Sequence, residues 1–237
     1  MAGWQAILLS CTALAAISAT SAVAQDGSEA AGGTQLETIV IEGSGNGDDD
    51  ARTIVARKAT GVGKMPTEVL QTPASVSVIT SKEVQERGAS TVEQVVQYTA
   101  GVVTDFYGSD DRFDYFDIRG FTPYTYRDGL PIGRTFGAAR EEPYAFERIE
   151  ILKGASSAGF GASEPGGSVN YVTKLPKSER FGEVYGTVGS FSHKEAGIDF
   201  GDNITEDDTL SYRLTGIYQN ADAEYDHSQD DKKFIMG

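Results

Sequence analysis

The residue types that most often carry chemistry are scarce in this chain and poorly placed for it. Its two histidines, His193 and His227, lie in polar stretches with no Cys, His or acid at metal-ligand spacing, so they read as solvated loop residues. Asp48, Asp49 and Asp50 could attract calcium, but the spaced oxygen ligands of a calcium loop are missing, and a flexible acidic linker is the better reading. Gly154, Gly159, Gly161, Gly166 and Gly167 invite a phosphate-loop reading. No Gly-Lys-Ser/Thr follows them, and tight turns account for them better. No nucleophile stands with a base at catalytic spacing, so no enzyme activity is expected. What remains is binding chemistry: exposed backbone, aromatic faces and arginines. Its clearest instance is Leu36–Gly43, LETIVIEG, an alternating β-like run between two stretches that cannot build a core. An isolated extended segment on a flexible tether suits addition to the sheet edge of a partner.

The bulk properties bound the elements that must position such groups. The chain has 237 residues and a net charge of −15, which argues against nucleic acid, since phosphate neutralisation needs a Lys/Arg surface. With 28 Gly, 11 Tyr and 11 Phe, it points to β structure with tight turns. Residues 1–24 read as a secretory signal peptide. Trp4 to Val23 is apolar or small, and Ala22-Val23-Ala24 is a cleavage signal, although the leader lacks an early Lys or Arg. Cleavage there removes Cys11, the only cysteine, and with it any disulfide framework or thiol catalyst. No later run reaches the ~18 apolar residues of a membrane helix, which leaves an exported protein that is soluble, peripheral or a β-barrel.

Residues 25–52 are polar and low in complexity around LETIVIEG. From Thr53 the pattern becomes compact. Ser75–Ile79 alternates as a strand. Ser81 is placed to cap a helix over Lys82–Arg87 that Gly88 ends, and Ser90-Thr91-Val92-Glu93 reads as a capping box opening a second helix, with Val92, Val95 and Val96 on its buried face. Phe113–Arg119 and Tyr124–Arg127 read as strands, with a turn at Asp128-Gly129 and a stop at Pro131. Pro143 fits the first turn of a short helix, and Arg148–Leu152 and Ser168–Thr173 read as strands. This is an α+β domain over 53–175, a mixed sheet with short helices. After Pro176 no helical period remains. Ala196, Ile198 and Phe200 alternate with Glu195, Gly197 and Asp199, and Leu210, Tyr212 and Leu214 alternate with Ser211, Arg213 and Thr215. Transmembrane β-barrels have this pattern, and so do ordinary antiparallel sheets.

A family resemblance separates the two. Glu147–Gly154 (ERIEILKG), then Gly159-Phe160-Gly161, then Pro165–Lys174 (PGGSVNYVTK) resemble the plug-domain signature of TonB-dependent siderophore receptors of the bacterial outer membrane. Thr72–Thr80, Asp117–Phe121 and Asp128–Pro131 agree with it in order, and Tyr212–Gly216 resembles the family's third barrel strand. The resemblance implies an α+β plug followed, over 176–237, by the first strands of an antiparallel transmembrane barrel of about 22 strands. Glu37, Thr38, Ile39, Val40 and Ile41 resemble the TonB box, within 37–43, which pairs with TonB, the energy transducer that has ExbB and ExbD behind it. The implied function is import of a ferric siderophore across the outer membrane, with no resident cofactor, no metal and no nucleic acid partner, and with the plug and TonB box reached from the periplasm.

The resemblance also names candidate residues. Tyr107 matches a ligand-contacting loop position in ferrichrome-type receptors; Arg112, Tyr124, Tyr126, Arg134 and Phe136 lie on the same upper strands and loops. Aromatics and Arg suit a ferric siderophore, with its apolar shell and residual negative charge. Arg119 and Lys153 match two basic plug positions that lock onto acids of the barrel, with Lys153 standing where Arg is usual. About three barrel strands are present, with Lys232–Met236 starting a fourth, so the chain is expected to be the N-terminal part of a longer transporter. With only Gln25–Leu36 before the TonB box, no domain of the roughly 80 residues used for transcriptional signalling is expected. Alternatives are a soluble periplasmic plug-like binding protein, a truncated remnant without function, or a receptor for cobalamin or haem.

Overall fold

Alternating β-branched runs separated by Gly, Pro and Asp turns build two large sheets. In the computed structural model the described residues are 52–61, 63–108, 112–134, 140–155, 157–161, 163–177, 179–205, 207, 209–222 and 232–237. The expected leader, the Glu37–Ile41 segment, Phe136 and His227 lie outside them.

The first part runs β1 (Lys58–Ala59), β2 (Thr67–Glu68), a 3₁₀ turn (Val69–Gln71), β3 (Ser75–Thr80), α1 (Ser81–Arg87), α2 (Val92–Val96), β4 (Val102–Thr104), β5 (Phe116–Ile118), β6 (Tyr124–Arg127), β7 (Leu130–Arg134), a 3₁₀ turn (Pro143–Ala145), β8 (Phe146–Lys153), α3 (Ser157–Phe160) and β9 (Gly167–Thr173). Five strands form one mixed sheet in the order β3-β8-β9-β6-β7, with β6 and β9 parallel and the other pairs antiparallel. Ile79, Ile149, Ile151 and Val169 pack with Val84 of α1 and Val92, Val95 and Val96 of α2 to form the core. The mixed sheet with short helices is the expected α+β class.

Several local expectations shift. Thr80, not Ser81, caps α1, its hydroxyl accepting the Glu83 N–H at 3.2 Å. The second box moves by one residue: Thr91 Oγ1 accepts the Gln94 N–H at 3.2 Å, and Gln94 Oε1 accepts the Ser90 N–H at 2.8 Å. Glu93 is thereby released for another partner. The expected strand at Phe113–Arg119 shortens to β5, which pairs with β4. Pro131 does not stop its strand but lies inside β7. The strand is at the sheet edge, where a missing N–H costs no ladder bond, and the register shifts at Thr125/Tyr126 opposite it. Gly166 makes a close approach rather than a turn, since a Cβ there would lie 2.0 Å from the Ile118 carbonyl oxygen.

The second part is an antiparallel sheet in the order β10 (Phe181–Val188), β11 (Lys194–Asn203), β12 (Ser211–Asn220), β13 (Lys232–Met236). It is open at both edges among the described residues. Across it Val184 pairs with Ile198, Ile198 with Gly216 and Gly216 with Ile235, which makes an apolar band on the outward face. Val184 is 80% exposed and Ile235 79%. The inward face carries Tyr185, Glu195, Asp199, Arg213, Thr215 and Gln219, several of them fully buried against the first part. A sheet folded in water puts its apolar side inward; here the charged and polar groups face in, with Ile217, Phe234 and Met236 as the apolar part of that face.

Candidate functional site

Three groups of side chains could do work. The first is the loop between β4 and β5. Phe106 and Tyr107 stand exposed there, Tyr107 at 67%, with ring centroids 4.9 Å apart. Tyr107 meets Tyr115 edge-on at 4.8 Å, Phe113 meets Tyr115 at 6.0 Å, and the Arg112 guanidinium lies 5.6 Å from the Phe113 ring. The aromatic patch rests on two carboxylates. Glu93, freed by the shifted capping box, accepts the Tyr115 N–H, and Asp114 accepts the Glu141 N–H at 3.1 Å with Arg140 3.7 Å away. Burial pushes both acids up to about 6, Glu93 from 4.5 and Asp114 from 3.8.

The neighbouring β6–β7 hairpin holds the other candidates less openly. Tyr124 pairs across the hairpin with Arg134, whose guanidinium lies 4.9 Å from the Tyr124 ring and forms an ion pair with Glu164. Tyr126 was expected at a ligand surface and is instead 1% exposed, its ring 4.6 Å from Phe160. Alternation decides this: Tyr124 and Tyr126 leave the same side of β6, but only Tyr126 is covered by α3. Tyr126 is core.

Arg119 lies beside the end of β8, which carries Lys153. A Cβ on Gly154 would lie 3.7 Å from Arg119 Nη1, which puts the guanidinium beside the residue that follows Lys153. Neither makes an ion pair among the described residues.

The third group went unread in the sequence. On β8, Phe146 pairs with Thr173 and Arg148 with Val172, so Glu147 is the extra residue of a bulge. Bulges re-aim side chains, and Glu147 reaches the second sheet, where Arg213 Nη1 lies 3.2 Å from its carboxylate. Arg213 grips Asp199 through Nε and Nη2, both at 2.8 Å, and donates to the Leu175 carbonyl at 2.9 Å. Lys174, just past β9, donates to Asp199 at 2.9 Å and lies 3.8 Å from the Tyr144 ring centroid. All four charged groups are buried. Beside them Tyr185 packs edge-on against Tyr144 at 5.5 Å and donates to Glu195 at 2.8 Å. Its ring lies across Gly197, where a Cβ would meet it at 2.0 Å, so the glycine is what lets the ring lie flat on the strand. The available signal was the opposite charges of Asp199 and Arg213 on the polar faces of adjacent strands.

The site thus offers an exposed aromatic apex, a plug sheet and a charged seam joining it to a sheet with an apolar exterior. Among the described residues no group of three or more His, Cys, Asp or Glu could hold a metal ion.

Residues 68–168 match the model of the TonB-dependent receptor plug domain. The chain is 35% identical over 191 residues to the ferrichrome outer membrane transporter/phage receptor of Escherichia coli K12, covering 78% of this chain and 26% of that protein. It is 33% identical to the ferrioxamine receptor of Yersinia enterocolitica, covering 84% of this chain and 29% of that one. The chain therefore spans between a quarter and a third of the length of these relatives. Among solved structures, the ferric preacinetobactin receptor of Acinetobacter baumannii superimposes with a TM-score of 0.67 at 25% identity, over 76% of this chain and 28% of that one. The pyoverdine receptor of Pseudomonas aeruginosa PAO1, at 22% identity, shares the fold with a TM-score of 0.69 over 79% of this chain and 28% of that one. Fold, plug-domain match and relatives agree, and the chain belongs to the TonB-dependent receptors, whose plug domain it carries.

Proposed function

We propose that this chain is the plug, over 53–175, and the first wall strands, from 176, of an outer-membrane receptor that imports a ferric siderophore. The leader exports it, Glu37–Ile41 pairs with TonB, and ExbB and ExbD supply the energy behind TonB. The observation that carries the reading is the inverted polarity of the second sheet: apolar outward over four strands, with ion pairs inward onto the plug. Lipid outside and a plugged lumen inside account for both faces. A soluble plug-like protein would leave Val184, Val188, Phe200 and Ile235 in water for no gain.

The aromatic apex supports the cargo. Tyr107 and Phe106 offer ring faces to an apolar ligand shell, with Arg112 nearby for residual negative charge. Tyr124 and Arg134 contribute at the next loop, where Arg134 would have to exchange Glu164 for the ligand. Arg119 and Lys153 remain available for acids elsewhere on a completed barrel. The relatives named for ferrichrome and ferrioxamine favour ferric hydroxamates over cobalamin or haem.

The test is uptake of radioactive iron as ferrichrome or ferrioxamine B, by the full-length receptor in a Gram-negative strain lacking its own hydroxamate receptors. Uptake that needs TonB and disappears on deleting Glu37–Ile41 is expected. Tyr107→Ala should weaken siderophore binding by up to about tenfold, the worth of an aromatic contact. Failure to take up any ferric hydroxamate would reject the cargo, and uptake indifferent to the 37–41 deletion would reject the TonB box.

A further inference from the structure

Strand β8 carries carboxylates with two different duties. Glu147, at the bulge, faces the wall. Arg148 and Glu150, two residues apart, share the other face of the plug sheet, and Arg148 Nε donates to Glu150 at 2.7 Å. Across the ladder from Glu150 stands Asn170, whose amide donates to it at 3.2 Å. Glu150 is 1% exposed because the segment leading in from the N-terminus lies over it. The Thr60 N–H donates to Glu150 at 2.8 Å, and the Thr60 hydroxyl reaches both carboxylate oxygens at 3.0 Å.

The N-terminal segment is joined to the sheet here by side-chain contacts rather than a strand ladder: at Thr60 through Glu150, and nearer the N-terminus at Thr53, whose carbonyl accepts the Thr80 hydroxyl of β3 at 2.6 Å. β1 pairs only with β2 over two residues, in a hairpin outside the five-stranded sheet.

We infer that Glu150 is a catch that holds the N-terminal segment at Thr60, while Glu147 and Arg213 anchor the plug sheet to the wall, so that a pull from the N-terminus frees the segment before it moves the sheet. The inference rests on the proposed transport function only for the origin of the pull. Its physical basis is what each rupture leaves behind. When Thr60 leaves, Glu150 keeps Arg148 and Asn170 as partners, so no buried charge is orphaned. When Glu147 leaves Arg213, a buried carboxylate loses the guanidinium that pairs with it and keeps only Lys174 and Lys177 as more distant cations, which is a larger penalty. The catch therefore yields first and closes again without rearranging the sheet. Glu150 and Thr60 act as positioning residues and need no contact with cargo.

The experiment is constant-load pulling on the N-terminus of the full-length receptor in a membrane. Two rupture steps are expected, a first that frees the chain up to β3 and a second that releases β8 and β9. Thr60→Val, which removes the hydroxyl and keeps the shape, should speed the first rupture about tenfold and leave the second unchanged, the effect of losing a hydrogen bond to a charged acceptor. Thr60→Ser should restore the first step. Glu147→Gln should speed the second step only. A first step insensitive to Thr60→Val, or a single step in which segment and sheet leave together, would overturn the inference. Because pulling needs neither TonB nor siderophore, failure of the uptake reading would leave this result standing, and the reverse.

Discussion

In the plug sheet the side chains turned inward are Ile149, Ile151 and Val169, packed on the valines of α2; in the wall sheet they are Asp199, Arg213 and Thr215, while Ile198, Val184 and Ile235 point out. Both sheets alternate with the same period, and each turns one face toward the rest of the protein. The hydrophobic effect explains the first directly, since water lies outside the plug core. It explains the second only if the outer solvent is not water, so that the driving force for burying apolar groups inward is gone and polar groups collect wherever partners exist. A wall sheet with lipid outside and a polar plug inside meets that condition. The contrast teaches that periodicity reports which residues share a face, and that the solvent decides which face goes in.

The largest test of the contrast removes the charge that joins the two sheets. Arg213→Met leaves Asp199 with Lys174 alone and takes from Glu147 the guanidinium that pairs with it. Breaking one partner of a buried set costs about 3–5 kcal/mol. Urea unfolding of the full-length receptor in lipid vesicles should show a loss of that size. Adding Glu147→Leu, Asp199→Leu and Lys174→Met should recover most of it, because apolar replacements of a whole buried cluster leave no orphaned charge. A loss under about 1 kcal/mol for the single variant would mean that the seam is wet and that the wall does not hold the plug through it.

The next test attacks the outward face. Ile198→Arg puts a cation on the band formed by Val184, Ile198, Gly216 and Ile235. Near the bilayer midplane an outward Arg costs about 2–4 kcal/mol. The same vesicle-based unfolding should register that cost. No loss would place this face in water and return the wall sheet to the ordinary antiparallel class.

Much of this arrangement was legible in the sequence, and the parts that were not share a cause. The strands at Ser75–Thr80, Tyr124–Arg127, Lys194–Asn203 and Ser211–Asn220 follow from their period of two, and the buried face of α2 follows from Val92, Val95 and Val96. Helix caps were found to within one residue, because Thr80 competes with Ser81 and Thr91 with Ser90, and only backbone angles choose between such neighbours. Tyr126 was misread because composition cannot say that α3 will cover it while leaving Tyr124 partly open. The seam was missed because Arg213 lies 66 residues from Glu147, and a bulge, invisible in the pattern, is what aims Glu147 at the wall. Local periodicity assigns faces; contacts between two sheets need the fold.

The smallest prediction compares one methylene in the two settings. Ile151 is fully buried among the plug side chains, and Ile198 sits on the outward band of the wall. Ile151→Val should cost about 0.5–1.5 kcal/mol, the transfer energy of the lost group plus the void that a close-packed core cannot refill. Ile198→Val removes the same group from a surface where mobile acyl chains can move in. No void forms, and the methylene was never taken from lipid into protein, so the change should fall within about ±0.5 kcal/mol. Measured side by side in vesicles, the two variants remove the same atoms in the same kind of structure, so the difference between them reports the solvent alone. Equal losses would mean that Ile198 is packed against protein rather than lipid, and the two sheets would then differ in their charges but not in what surrounds them.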